Sequence, residues 1–250
     1  MKKLAIYLSV LLALTSPVSL AAQSNPQRFR EAVDLFEHGA YAKARAMFDA
    51  LGDPLSQAYS ILCAVKVNSS DYPELVENYL KSNPNSSLAP QIHFASALNA
   101  FAEGDYALAK QELNSVGGPE NLPRKDRTEY TFMRGYSSYM QADKRTAIRD
   151  FYAVQSAPYS VYTAPSQYML GYMAYTEKDF GVARSWFALS GTDERFKSLS
   201  EYYTMECRFM NKEYAYVTEN APAMLDTIPA ERQGRLARML SESYLVLGQN

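Results

Sequence analysis

The chain has 250 residues, with 25 Lys and Arg against 27 Asp and Glu, for a formal net charge of −2. That balance, with no Lys/Arg cluster along the sequence, gives no electrostatic reason to expect nucleic acid or an anionic membrane as a partner. Two histidines, His38 and His93, have no companions at metal-ligand spacing, so a His-based metal site is not expected.

The first 22 residues read as a secretory leader. Lys2 and Lys3 precede an apolar stretch from Leu4 to Leu14, and Ser19-Leu20-Ala21 offers small residues for cleavage. The stretch is too short to span a bilayer comfortably. No cysteine stands near the cut, so a lipoprotein anchor is not expected. The expectation is a chain exported through a Sec-type route to a bacterial periplasm or the cell exterior, out of the membrane once cleaved. Without residues 1–21 it carries 23 basic against 27 acidic side chains, a net charge of −4.

From residue 23 onward one pattern recurs about every 34 residues. A small residue is followed nine positions later by an aromatic, twelve later by Ala and sixteen later by an aromatic. In chain order the frames are Ala32, Tyr41, Ala44, Phe48; Cys63, Tyr72, Leu75, Tyr79; Ala97, Tyr106, Ala109, Leu113; and Gly135, Lys144, Ala147, Phe151. They continue as Gly171, Phe180, Ala183, Phe187, then Met205, Tyr214, Val217, Ala221, and finally Ser241. A period of this size means stacked supersecondary units. Each unit reads as two helices and a tight turn; in the fifth, Ser166–Thr176, Glu177-Lys178-Asp179 and Phe180–Leu189 are the three parts. Turn chemistry falls where the frame demands it, at Gly39, Asn68 to Asp71, Gly104-Asp105, Ala142-Asp143 and Gly248. Pro54, Pro84, Pro119 and Pro158 fall where a second helix ends and the next unit begins. A small residue lets two helices approach, and the aromatic fills the gap opposite.

This spacing resembles the tetratricopeptide repeat family, most strongly in the frames at Ala32, Ala97 and Gly171, and over about residues 26–250. The resemblance implies an all-α fold, a right-handed α-solenoid of about six and a half helix-turn-helix units over residues 23–250. It also implies first helices that line a concave groove for an extended peptide or a partner helix. Arg235–Leu247 reads as the first helix of a seventh unit with its turn at Gly248, so the expectation is a fragment that stops inside that unit.

Motifs for nucleophilic, phosphate-binding, dinucleotide-binding and zinc chemistry are absent from the sequence, so neither an enzyme nor a cofactor is expected. Cys63 and Cys207 lie in units separated by three others and read as buried free thiols. Asp226-Thr227-Ile228 resembles a short envelope O-glycosylation site, with a polar turn before Pro229 as the plainer reading. The stronger signal is aromatic. Positions three before, one after and four after each anchor form one helical stripe. It comprises Phe94 and Phe101, then Phe132, Tyr136 and Tyr139, then Tyr168, Tyr172 and Tyr175, and then Tyr202, Glu206 and Phe209. By the family's geometry its ten aromatic residues would face the groove and meet another envelope protein. Core packing is the alternative for such a stripe. The expectation is a non-enzymatic scaffold or adaptor, of open oligomeric state. A glycan-binding module, or repeats that position a domain encoded further on, are the other readings.

Overall fold

The computed structural model describes residues 17–248, and all regular structure among them is helical. The leader expected at residues 1–22 lies, for its first 16 residues, outside the described residues. The first helices of the pairs are α1 (Pro17–Glu37), α3 (Pro54–Lys66), α5 (Ala89–Ala102), α7 (Arg127–Met140), α9 (Thr163–Thr176), α11 (Lys197–Met210) and α13 (Ala230–Val246). The second helices are α2 (Tyr41–Leu51), α4 (Tyr72–Ser82), α6 (Tyr106–Ser115), α8 (Lys144–Gln155), α10 (Phe180–Ser190) and α12 (Tyr214–Leu225). Short 3-10 turns at Pro119–Asn121 and Arg124–Asp126 fill the longest connection. The chain divides between Glu103 and Gly104 into two compact units, and helices adjacent in sequence pack together within each.

In the first unit α1, α2 and α3 close over Ala32, Ala44, Phe48 and Cys63, all four fully buried. A second cluster of Ile61, Leu62, Val65, Val76, Tyr79 and Ile92 joins α3, α4 and α5. In the second unit Phe151 and Phe187 play the part of Phe48. The small-residue logic is met with little room to spare. A methyl group placed on Gly171 would sit 2.8 Å from the Phe187 ring, and one on Gly135 would sit 3.1 Å from Phe151. At Gly171 something must shift to admit even a methyl group, and at Gly135 the Phe151 ring would have to give by a few tenths of an ångström.

The turns within pairs share one device. A residue with left-handed backbone stands two before the second helix: Gly39, Gly104, Ala142, Lys178 and Lys212, with φ of +77°, +79°, +58°, +63° and +62°. Gly248 repeats it after α13, at φ +68°. Asn68 (φ +48°) is the exception, standing four residues ahead of Tyr72. The turn of the second pair is therefore two residues longer, which corrects its frame. Counting back from Tyr72 places the anchor at Cys63, whereas the turn places it at Ile61. Cys63 instead matches Cys207: each is fully buried against an Ala and a Phe of the preceding pair, Ala44 and Phe48 for one, Ala183 and Phe187 for the other.

A repeated ion pair staples the first pair to the second, the third to the fourth and the fifth to the sixth. The fifth residue of a second helix reaches the carboxylate that stands just before the next second helix: Arg45 to Asp71 at 2.9 Å, Lys110 to Asp143 at 2.8 Å and Arg184 to Glu213 at 2.6 Å. Asp143 also caps α8 by accepting from the Thr146 N–H, so the ion pair fixes a helix start. Lys110 holds the Asp143 carboxyl down at about 2, and Arg45 does the same for Asp71. Both carboxylates are open to solvent and each pair contributes modestly to stability. Their value is register.

A cluster of rings around a buried carboxylate

The aromatic stripe of the first helices is the candidate site, and the structure divides it. Phe94, Phe132 and Tyr202 are buried. Phe101, Tyr136, Tyr139, Tyr168, Tyr172, Tyr175 and Phe209 are half-buried, and none of the ten is exposed. Phe132 leans on Phe151 at 5.9 Å and Tyr162 at 5.3 Å, so the core alternative applies to it. On α7 the other face is buried too: Thr131 and Ser138 have little exposure, and Arg134 forks onto buried Asp150 at 2.6 and 2.9 Å. A helix held between two neighbours has no wholly free side, which is why a stripe defined by period alone overstates the exposed area.

The stripe becomes continuous over α7, α9 and α11. Tyr139 meets Tyr172 at 6.5 Å, and Tyr172 meets Tyr175 at 6.2 Å. Tyr203, which lies outside the stripe, is the hub. Its ring contacts Tyr168, Tyr172, Tyr175, Phe187 and Tyr202 at centroid distances of 5.3 to 6.0 Å. Edge-to-face geometry predominates among these contacts, the arrangement that the ring quadrupole favours. Burial pushes the Tyr168 phenol well above the usual range. Burial raises Tyr136 and Tyr139 as well.

Glu206, in the middle of the stripe, is 1% exposed. The Tyr175 hydroxyl donates to its Oε2 at 2.8 Å, and the Tyr202 hydroxyl donates to Oε1. From α13, Arg235 brings Nε to within 2.5 Å of the same Oε1, and its Nη2 donates to the Tyr175 hydroxyl at 3.3 Å. Arg232 lies over the Tyr202 ring, 5.4 Å from its centre. One buried carboxylate thus ties α9, α11 and α13. Burial and the bond to Glu206 push the phenols of Tyr175 and Tyr202 far up, so both stay protonated donors at any ordinary pH. The sequence places Glu206 on the stripe. A signal of its burial was available in the pattern: a carboxylate where the third, fourth and fifth frames have Leu98, Tyr136 and Tyr172 needs a partner, and Arg235 lies in the next first helix.

Elsewhere the reactive groups are quiet. Cys63 and Cys207 are free and buried, and burial pushes both thiols up to about 12. The cation beside Cys63 is Arg45; Lys66, one helical turn away in sequence, is exposed. His38 sits in solvent with Nδ1 on the Asp34 carbonyl. Among the described residues no group of three or more His, Cys, Asp or Glu side chains could hold a metal ion. At the Asp226-Thr227-Ile228 tripeptide, Thr227 is exposed at the end of α12, its hydroxyl donates to the Met224 carbonyl, and Ile228 is buried.

No family model matches the chain, and no curated protein aligns with it.

Proposed function

We propose that the chain is an exported tetratricopeptide-type repeat protein of a bacterial envelope that holds an extended segment of another protein on its first-helix faces. The observation that carries this reading is the row of half-buried rings Tyr139, Tyr172 and Tyr175, continuous over two first helices and locked from behind by Tyr203 and Glu206. Tyrosines fixed in this way lose little rotamer freedom on binding, and they offer flat apolar area with a hydroxyl at its rim. Side chains of an extended partner would alternate between these rings and solvent, and several helix pairs would act together. Phe94, Phe132 and Tyr202 are buried and do not meet the partner.

The reading is tested by placing a photo-crosslinking amino acid at Tyr139 or Tyr172, and as a control at Lys81, which is exposed on α4. A discrete protein adduct in envelope extracts is expected from the first two sites and not from the third. Adducts of equal yield from all three, or from Lys81 alone, would remove the first-helix face from consideration. Soluble peptidoglycan fragments that suppress the adduct would shift the assignment to a glycan.

A further inference from the structure

The outward faces of the second helices differ from one another. On α4 the exposed residues include Glu74, Glu77, Asn78 and Lys81, and on α12 they are Ala215, Glu219, Pro222 and Ala223. Helices α8 and α10 instead expose Ile148 at 40%, Tyr152 at 48%, Val182 at 44% and Leu189 at 48%. Ile148 and Tyr152 are four apart on α8, while Val182, Trp186 and Leu189 follow a spacing of four and three on α10, so each set makes one stripe. The rings of Tyr152 and Trp186 meet edge to face at 5.5 Å and join the stripes into one patch. Beyond the end of α8, the loop to α9 adds Tyr159 and Val161, 79% and 61% exposed, and Arg195 Nη2 donates to the Val161 carbonyl at 3.2 Å.

Charge distinguishes this patch further. The single carboxylate along α8 and α10 is Asp150, which is buried and bound by both Arg134 and Arg149. Arg145 and Arg149 stand exposed beside Ile148 and Tyr152. Lys144 is matched by Glu177, and Asp193 by Arg195. A surplus of positive charge therefore surrounds exposed aromatic and aliphatic groups, in a chain whose total charge is negative.

We propose that the outward face of α8 and α10 rests on a bilayer surface containing anionic lipid. Tyr152 and Trp186 lie at headgroup level, where a ring with one polar edge is favoured, and Arg145 and Arg149 meet lipid phosphates. Tyr159 and Val161 reach the boundary of the acyl chains. Contact is peripheral: among the described residues no helix is long and apolar enough to cross a membrane. The cations escape a sequence scan because apolar residues separate them. This face is on the second helices, separate from the rings proposed to hold a partner protein, and it stands independently of that function.

Trp186 is the single tryptophan of the chain and reports on the patch directly. The purified full-length chain is titrated with phosphatidylcholine vesicles, with and without phosphatidylglycerol, while tryptophan emission is followed. A blue shift, with quenching by brominated acyl chains, is expected only with phosphatidylglycerol present. Arg145→Gln alters an exposed side chain and should weaken this binding roughly 5-fold; Tyr159→Asp tests the loop in the same way. Emission unchanged by phosphatidylglycerol vesicles, or shifted equally by phosphatidylcholine alone, overturns the proposal. So does vesicle binding that leaves Trp186 silent, which would place the contact elsewhere. Poly-glutamate that shifts Trp186 where vesicles do not would make the face a contact for an acidic protein.

Discussion

The ring clusters of the two compact units are built from the same positions and end in different chemistry. In the first unit Phe29, Phe36 and Phe48 gather around Tyr59, with Phe48 and Tyr59 stacked at 5.0 Å, and no carboxylate enters. In the second, Tyr168 and Tyr175 stand where the first has Phe29 and Phe36, Phe187 keeps the place of Phe48, and Glu206 is buried beside them with Arg235 as counter-ion. The first cluster, centred on Tyr59 without a carboxylate, is closed chiefly by buried area. The tyrosine cluster has to satisfy hydroxyls and a charge, so its geometry is directional and its rings are held at chosen angles. Directional packing is what a recognition surface needs, and that contrast is the reason to look for a partner on the second unit before the first.

The contrast can be broken most sharply at Glu206. Glu206→Ala removes the acceptor of the Tyr175 and Tyr202 hydroxyls and leaves a void at a fully buried site, while Arg235, 54% exposed, turns to solvent, and a loss of about 3 kcal/mol in urea unfolding is expected. A change below about 1 kcal/mol would mean that the carboxylate is incidental to the cluster. Next come the hydroxyls. Tyr202→Phe should cost about 2 kcal/mol, since a bond to a charged group is lost, while Tyr59→Phe should stay within about 0.5 kcal/mol. Equal effects would erase the distinction between the two clusters. The smallest effect is at the turns, where the first unit has Gly39 and the second has Lys178 in the same left-handed conformation. Lys178→Gly should raise the melting stability by up to about 1 kcal/mol, and Gly39→Ala should lower it by about as much.

Much of this fold is legible in the residues. The turn at Glu177-Lys178-Asp179, the start of α10 at Phe180 and the tight fit of Gly171 on Phe187 follow from period and side-chain size, because both act locally. The second pair reads wrongly for an equally local reason: Asn68 to Asp71 make a longer turn, so a fixed count from Tyr72 lands on Cys63 instead of Ile61. The stripe is harder. Period identifies which residues share a side of a helix, but whether Phe132 is covered depends on Phe151 and Tyr162, which only packing brings to it. Tyr203 was missed because the hub of the cluster lies on the flank of α11 and not on its stripe.

The staple from one second helix to the cap of the next has an implication for how such a chain changes length. The third and fifth pairs carry both halves, a carboxylate just before the second helix and a cation at its fifth residue, Asp105 with Lys110 and Asp179 with Arg184, whereas the second and fourth have Val76 and Ile148 at the cation's place. A copy of the third or fifth pair inserted in frame beside its original would therefore arrive with both halves of the handshake, whereas a shift of even one residue turns the cation off the side of the helix that meets its partner.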